Sequence, residues 1–196
     1  MPVMSGIESA FCRSTPWRSF AGRAVLPWAL DGHSCTGDVL EIGGGSGAMA
    51  AGLARRFPAA SITVTDVDAA MVNAARARLA RFANAAADVA DVTALPFAAG
   101  RFDAVMSYLM LHHVIDWRAA LAESSRVLKP GGRFTVSDIV SIGEIPNDVR
   151  KNMELRAGCV AGALDKNEYL AIVRKAGFKD LTIEKEKTYD LEEKKG

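Results

Sequence analysis

At 196 residues, 49% of them hydrophobic, the chain suits one domain with a substantial core. Its 24 basic and 23 acidic side chains leave a net charge of +1, so no broad basic field points to nucleic acid or an anionic membrane as a partner. The longest apolar runs, such as residues 104–111, are too short to span a bilayer. The N-terminus lacks the order of a signal peptide, so a cytoplasmic location is expected. Cys12, Cys35 and Cys159 are scattered and odd in number, which excludes a disulfide framework or a zinc-spaced cluster.

Residues 6–30, rich in Phe, Trp and Arg, predict an amphipathic helical segment on both sides of Pro16, followed by a turn-forming stretch at 31–37. Residues 39–42 read as a first buried strand, and 48–57 as a helix stopped by Pro58. Residues 61–65 are β-branched and end in Asp66, a second strand, and 69–82 have the composition of a helix. A weaker third strand is expected at 86–92, broken by Leu95-Pro96-Phe97. A fourth is expected at 102–107, after the turn residues Gly100 and Arg101. A helix at 117–128 closes at Lys129-Pro130-Gly131-Gly132, and residues 133–140 form a fifth strand. The pattern loosens over 141–164. Asp165 or Asn167 then caps a helix that runs to Lys175 and stops at Gly177. Residues 181–188 alternate like a sixth strand, and 190–196 are a charged tail. Strands spaced by helices predict an α/β, Rossmann-like, doubly wound and mostly parallel sheet, covered on both faces.

The segment from Asp38 to Gly47 carries most of the functional information. An apolar run ends in Glu41 and breaks into glycines at 43, 44, 45 and 47 before an alanine-rich helix. Glycines permit the tight turn and a close backbone approach, and the helix N-terminus offers unpaired N–H groups to a polar ligand. The run Gly45-Ser-Gly47-Ala-Met-Ala50 also satisfies the dinucleotide pattern, so the loop alone leaves a nicotinamide site and other adenosine sites open. Glu41 tilts the choice. A buried carboxylate is costly unless paired or solvated, so it is expected to face a crevice, where it would repel a diphosphate and attract a cationic amine. Asp66, about 20 residues past the turn, stands where an acid accepts hydrogen bonds from ribose hydroxyls. Asp68 reads as an N-cap. Asp91 could meet an adenine amine or stabilise its own turn.

These pieces occur in one order: Glu41-Ile-Gly-Gly-Gly-Ser-Gly47, Val64-Thr-Asp66-Val-Asp68, Asp91-Val-Thr-Ala-Leu-Pro-Phe97, Gly100-Arg-Phe-Asp103, Leu111-His-His113 and Arg126-Val-Leu-Lys-Pro-Gly-Gly132. Over residues 38–140 the chain resembles the class I S-adenosylmethionine-dependent methyltransferases of the small-molecule type. The resemblance implies a seven-stranded sheet with S-adenosyl-L-methionine over its C-terminal edge. Gly43, Gly45 and Gly47 would border the methionine part, with Glu41 nearby. Asp66 would hold the ribose, and Val67 would pack on the adenine. Asp91 and Val92 would contact its edge, and Ser107 would line the path from donor to acceptor. It implies one domain, 1–196, with a helical cap at 1–37, a cofactor-binding core at 38–140 and an acceptor side at 141–196. Trp17, Phe20 and Trp28 would close over the cofactor or simply pack the cap.

His112 and His113 invite a catalytic reading, because imidazole titrates near neutral pH, although a positioning role suits the family better. In-line transfer from a sulfonium draws mainly on positioning, and a base is needed only for an acceptor that loses a proton. Ser137-Asp-Ile-Val140, Ala157-Gly-Cys-Val-Ala-Gly-Ala163 and Glu168-Tyr-Leu170 resemble arsenite methyltransferases, which implies Cys159 as a thiolate ligand for trivalent arsenic. Against this, alanine stands at position 50, where that family places a further cysteine, and its seventh strand is expected to be missing or modified. The first lysine is Lys129, every earlier basic residue being arginine, and residues 1–128 resemble uncharacterised actinobacterial-type methyltransferases. This suggests a hybrid chain. The expected function is methyl transfer to a small-molecule acceptor, trivalent arsenic being the specific candidate, with no metal site. Nucleic acid and membrane are not expected as partners, and the chain would be a monomer or homodimer. A non-catalytic binding scaffold and a nicotinamide oxidoreductase are the alternatives.

Overall fold

The computed structural model describes residues 14–30, 34–143 and 163–188. Helix α1 (Thr15–Phe20) passes through a π-helical turn, Ala21–Val25, into α2 (Leu26–Ala29). Pro16 is the second residue of α1. The first turn tolerates proline because its N–H would lack an intrahelical partner anyway. The helix expected ahead of Pro16 lies outside the described residues.

Five strands follow: β1 (Gly37–Ile42), β2 (Ala60–Asp66), β3 (Ala85–Val89), β4 (Phe102–Tyr108) and β5 (Leu128–Ser137). They pair in parallel in the order β3-β2-β1-β4-β5. Helices α3 (Ala48–Arg56) and α4 (Ala69–Leu79) make the crossovers of the first half, α5 (Trp117–Val127) links β4 to β5, and α6 (Lys166–Lys175) follows. Asp165 caps α6 by accepting from the main chain of Asn167 and Glu168, and Gly177, at φ +97°, lies just beyond its end.

Side-chain alternation along the strands builds a core on each face. Val39, Ile62, Val64 and Met106 pack with Leu53 of α3, Val72 and Leu79 of α4, and Leu26 and Leu30 of the N-terminal helices. On the other face Leu40, Ile42 and Val105 pack with Leu121 of α5 and with Tyr169, Ile172 and Val173 of α6. Each fully buried leucine or isoleucine contributes about 1.5–3 kcal/mol.

The boundaries of β3 and β5 differ from the sequence reading for identifiable reasons. β3 ends at Val89 because Asp91 folds back, its carboxylate accepting from the main chain and hydroxyl of Thr93. β5 begins at Leu128 rather than 133: Lys129-Pro130-Gly131-Gly132 runs into the strand through a register irregularity beside Phe102, where proline is tolerated. It ends at Ser137, because Asp138 turns its carboxylate to the main chain of Ile139 and to His112. The sixth strand expected at 181–188 is absent. Those residues form no ladder and are almost all exposed, and side chains tether them instead. Lys166 pairs with Glu186 at 2.8 Å, and Lys185 donates to the carbonyl of Trp28 at 3.3 Å.

Lys129, the first lysine, binds both carboxylate oxygens of Asp103, at 2.9 and 2.8 Å, and Asp103 also accepts from the main chain of Asp38. The N-terminal ends of β1, β4 and β5 are thus tied across the point where the composition changes.

Candidate active site

The strand order reverses between β1 and β4, so a crevice opens at their C-terminal ends, where open α/β sheets take ligands. The glycine loop fills the β1 side of it. Gly43 has φ +61°, and Met110 lies where its Cβ would stand, so any side chain is excluded twice over. Gly45 has φ +54° with nothing within 4 Å of a Cβ position, which leaves its backbone bare to the crevice. The loop is held by Gly44 N–H donating to the carbonyl of Thr65 and Gly47 N–H to that of Gly44.

Two carboxyl groups lie under and beside this loop. Glu41 is 1% exposed and therefore does not face an open crevice. Its carboxyl sits beneath Gly44 and accepts from the main-chain N–H of Ala50 in the first turn of α3, a helix with no side-chain N-cap of its own. Its Oε2 finds no partner among the described residues. Burial, reinforced by the negative charge of Asp66 and opposed by the Ala50 bond, pushes its pKa up to about 8. Asp66, at the end of β2, accepts from Gly45 N–H at 2.9 Å and from Asp68 N–H at 2.9 Å. Burial raises its pKa too, against the pull of those bonds. Asp68 caps α4 through the N–H of Ala70, as expected.

Val67 follows Asp66 at the rim, partly exposed. Asp91 spends one oxygen on its own turn, which holds its pKa below the usual range. The Val92 side chain is buried in the core, so only its main chain faces outward chemistry. Phe20 and Trp28 are 53% and 42% exposed, and the side chain of Trp17 lies outside the described residues. Cys12 and Cys159 also lie outside them.

The β4 side holds the residues that sequence reasoning understated. Ser107 is fully buried, and its Oγ has no partner among the described residues. Leu109 then adopts φ +52°, a strained backbone for a residue with a side chain, and donates its N–H to the carbonyl of Ser137 at 2.7 Å. That bend sends Met110 against Gly43 and opens a 3₁₀ turn, Leu111–His113. Within it, His112 Nδ1 lies 2.5 Å from Asp138 Oδ1, and its main-chain N–H donates to Asp138 Oδ2 at 3.1 Å. The two side chains are 1% and 3% exposed. The His113 ring is tilted against that of His112, centroids 4.0 Å apart. In the sequence Asp138 stands out only within Ser137-Asp-Ile-Val140. Its place two residues beyond Val136 on the alternating face of β5 was the signal for its direction.

Residues 39–132 match the model of a methyltransferase domain family. Arsenite methyltransferase of Aquipseudomonas alcaligenes is 31% identical over 166 residues, 80% of this chain and 47% of that protein. Demethylmenaquinone methyltransferase of Clavibacter sepedonicus is 35% identical over 150 residues, 76% of this chain and 57% of that protein. The crystal structure of an arsenic(III) S-adenosylmethionine methyltransferase from Chlamydomonas reinhardtii superposes with TM-score 0.66 at 28% identity, covering 73% of this chain and 52% of that one. The chain belongs to the class I S-adenosylmethionine-dependent methyltransferases.

It spans about half the length of the arsenite methyltransferases it matches. S-adenosylmethionine is the cofactor of this family, and the residues present fit it. The open backbone at Gly45 leaves room for a ligand, and the unpartnered Glu41 Oε2 lies beneath the loop. Among the described residues no cluster of His, Cys, Asp and Glu could hold a metal, and no helix is long and apolar enough to cross a membrane.

Proposed function

We propose that this methyltransferase transfers a methyl group from S-adenosylmethionine to a small-molecule acceptor. The observation that carries this reading is the bare backbone of Gly45, bonded directly to Asp66, with Glu41 beneath the neighbouring Gly44. Gly43, Gly45 and Gly47 border the methionine part, Glu41 offers its carboxyl oxygen as an acceptor to its amine, and Asp66 receives the ribose hydroxyls. Val67 packs on the adenine, with Asp91 and the main chain of Val92 at its edge. Ser107 lies on the acceptor path. The cofactor supplies an electrophilic methyl on a sulfonium; the chain supplies orientation and exclusion of water. Calorimetry with S-adenosylmethionine, S-adenosylhomocysteine and NAD tests this, with binding of the first two expected and binding of NAD alone refuting it.

The arsenite methyltransferases among the relatives favour a second, narrower reading, in which trivalent arsenic is held by the thiolate of Cys159. Arsenite binding that disappears in Cys159→Ser is the expected result. Unchanged binding removes this reading.

A further inference from the structure

We propose that Glu123 and Arg126 of α5 are positioning residues for the base of the donor. By clasping Leu95–Phe97 they hold Asp91 and the main chain of Val92 in place, and so set the preference for adenine over a 6-oxo purine. This rests on the cofactor reading above and extends it to two residues of the helix between β4 and β5.

Residues 90–101 join β3 to β4 without a helix or strand of their own. Connections of about 12 residues with no regular structure are uncommon in compact domains and usually functional. This one is stitched down at both ends. At its start Ala90 N–H donates to the carbonyl of Asp66 at 3.0 Å, and Ala94 N–H donates to that of Asp91 at 3.0 Å. In its second half the bonds go to the end of α5. Leu95 N–H donates to Glu123 Oε2 at 2.7 Å, and the carbonyls of Leu95 and Phe97 accept from Arg126 at 3.0 and 2.8 Å. Gly100 N–H and Arg101 N–H donate to the carbonyls of Arg126 and Val127 at 2.9 and 2.8 Å.

The clasp needs an arginine. Nε and Nη2 meet the two oxygens of Glu123 at 2.6 and 2.7 Å, while Nη1 and Nη2 reach the carbonyls of Phe97 and Leu95. A planar fork makes all of these bonds at once, and the point charge of a lysine does not. Pro96, with its fixed φ, stiffens the clasped stretch. The Leu95 side chain is buried, and Phe97 packs edge to face on Phe102 at 5.1 Å. Thr93 and Ala94 alone separate this anchor from Val92.

Stability is a poor reason for such a device. The Arg126 and Glu123 side chains are 36% and 19% exposed, and ion pairs at that exposure contribute about 1 kcal/mol or less. What the fork adds is fixed geometry. Asp91 already spends Oδ1 on the main chain and hydroxyl of Thr93, so its carboxylate has one orientation relative to the loop. An ionised carboxylate accepts hydrogen bonds and donates none, so it suits the 6-amine of adenine and repels a 6-oxo group. Recognition of this kind tolerates displacements of about 0.5 Å, which makes the loop's anchor part of the base's selectivity.

Calorimetry on the full chain compares S-adenosylhomocysteine with S-inosylhomocysteine, whose base carries a 6-oxo group. The unaltered chain should prefer the first by about tenfold or more. Arg126→Lys keeps the charge and loses the fork; it should weaken S-adenosylhomocysteine by about tenfold and narrow the preference. Glu123→Gln, which keeps an acceptor for Leu95 N–H, should do the same to a smaller extent. In an Asp91→Asn background Arg126→Lys should narrow the preference no further, because the clasp acts through Asp91. A purely structural role lowers the urea midpoint and leaves the preference where it was. An unchanged preference in both variants, an additive effect in the double variant, or no preference in the unaltered chain overturns the proposal. If Arg126→Lys does not fold, Glu123→Gln alone and with Asp91→Asn decides it. Absence of S-adenosylhomocysteine binding to the unaltered chain strikes the cofactor reading, and this proposal with it.

Discussion

Glu41→Gln tests whether the carboxyl beneath the glycine loop is carried as a neutral acid. An unfolded glutamate ionises near 4.5, whereas Glu41 in the folded chain holds its proton to about 8. Between those values the folded state binds more protons, so stability falls as pH rises through that window and is level on either side of it. The displacement is about 3.5 pH units at about 1.4 kcal/mol each, an upper bound near 5 kcal/mol. Comparing about pH 5.5 with about pH 8.5 samples most of the window, so wild type should lose about 2–3.5 kcal/mol relative to the Glu41→Gln variant. Urea unfolding of both proteins at the two pH values measures this as the change in their difference, which cancels the groups they share. A difference that does not move with pH refutes the reasoning and means that Glu41 is ionised in the folded protein.

Other substitutions probe the same architecture. Gly45→Ala meets open space, so only its left-handed backbone resists; unfolding free energy should drop by about 1–2 kcal/mol while S-adenosylmethionine affinity, read by calorimetry, falls at least tenfold. Gly43→Ala collides with Met110 as well and should be the less stable of the two by denaturant midpoint. Asn84→Ala strips the amide that serves the carbonyls of Ala54, Phe57 and Ala60, a loss of about 1–3 kcal/mol by urea unfolding with cofactor affinity untouched. Tyr169→Phe removes a buried hydroxyl with no partner among the described residues; stability by urea unfolding should hold or rise by up to about 1 kcal/mol.

The proposed donor half of the site could be read from the sequence because its residues are local. Glycine spacing, a carboxylate at each of two strand ends and the Pro-Phe break follow one another over two successive crossovers, and the strand–helix order locates them. The cluster on the β4 side is assembled across the chain. His112 and Asp138 are 26 residues apart and meet only because β4 and β5 are adjacent, and Tyr169 joins from a helix beyond both. Periodicity also misjudged residues 181–188, whose alternation of Ile and Thr with Lys and Glu suits a strand but has no ladder to join. Glu41 was placed correctly at the end of β1 but with the wrong exposure. The loop's own glycines fold over it, and alternation cannot register that.

Met110 resting on Gly43 gives the turn at 109–113 two duties. It holds His112 against Asp138, and it braces the glycine backbone proposed to meet the donor. On the cofactor reading proposed above, a lineage that reshapes this turn disturbs donor affinity in the same stroke. Changes in α6 or at residues 139–143, by contrast, leave that brace and the glycines alone.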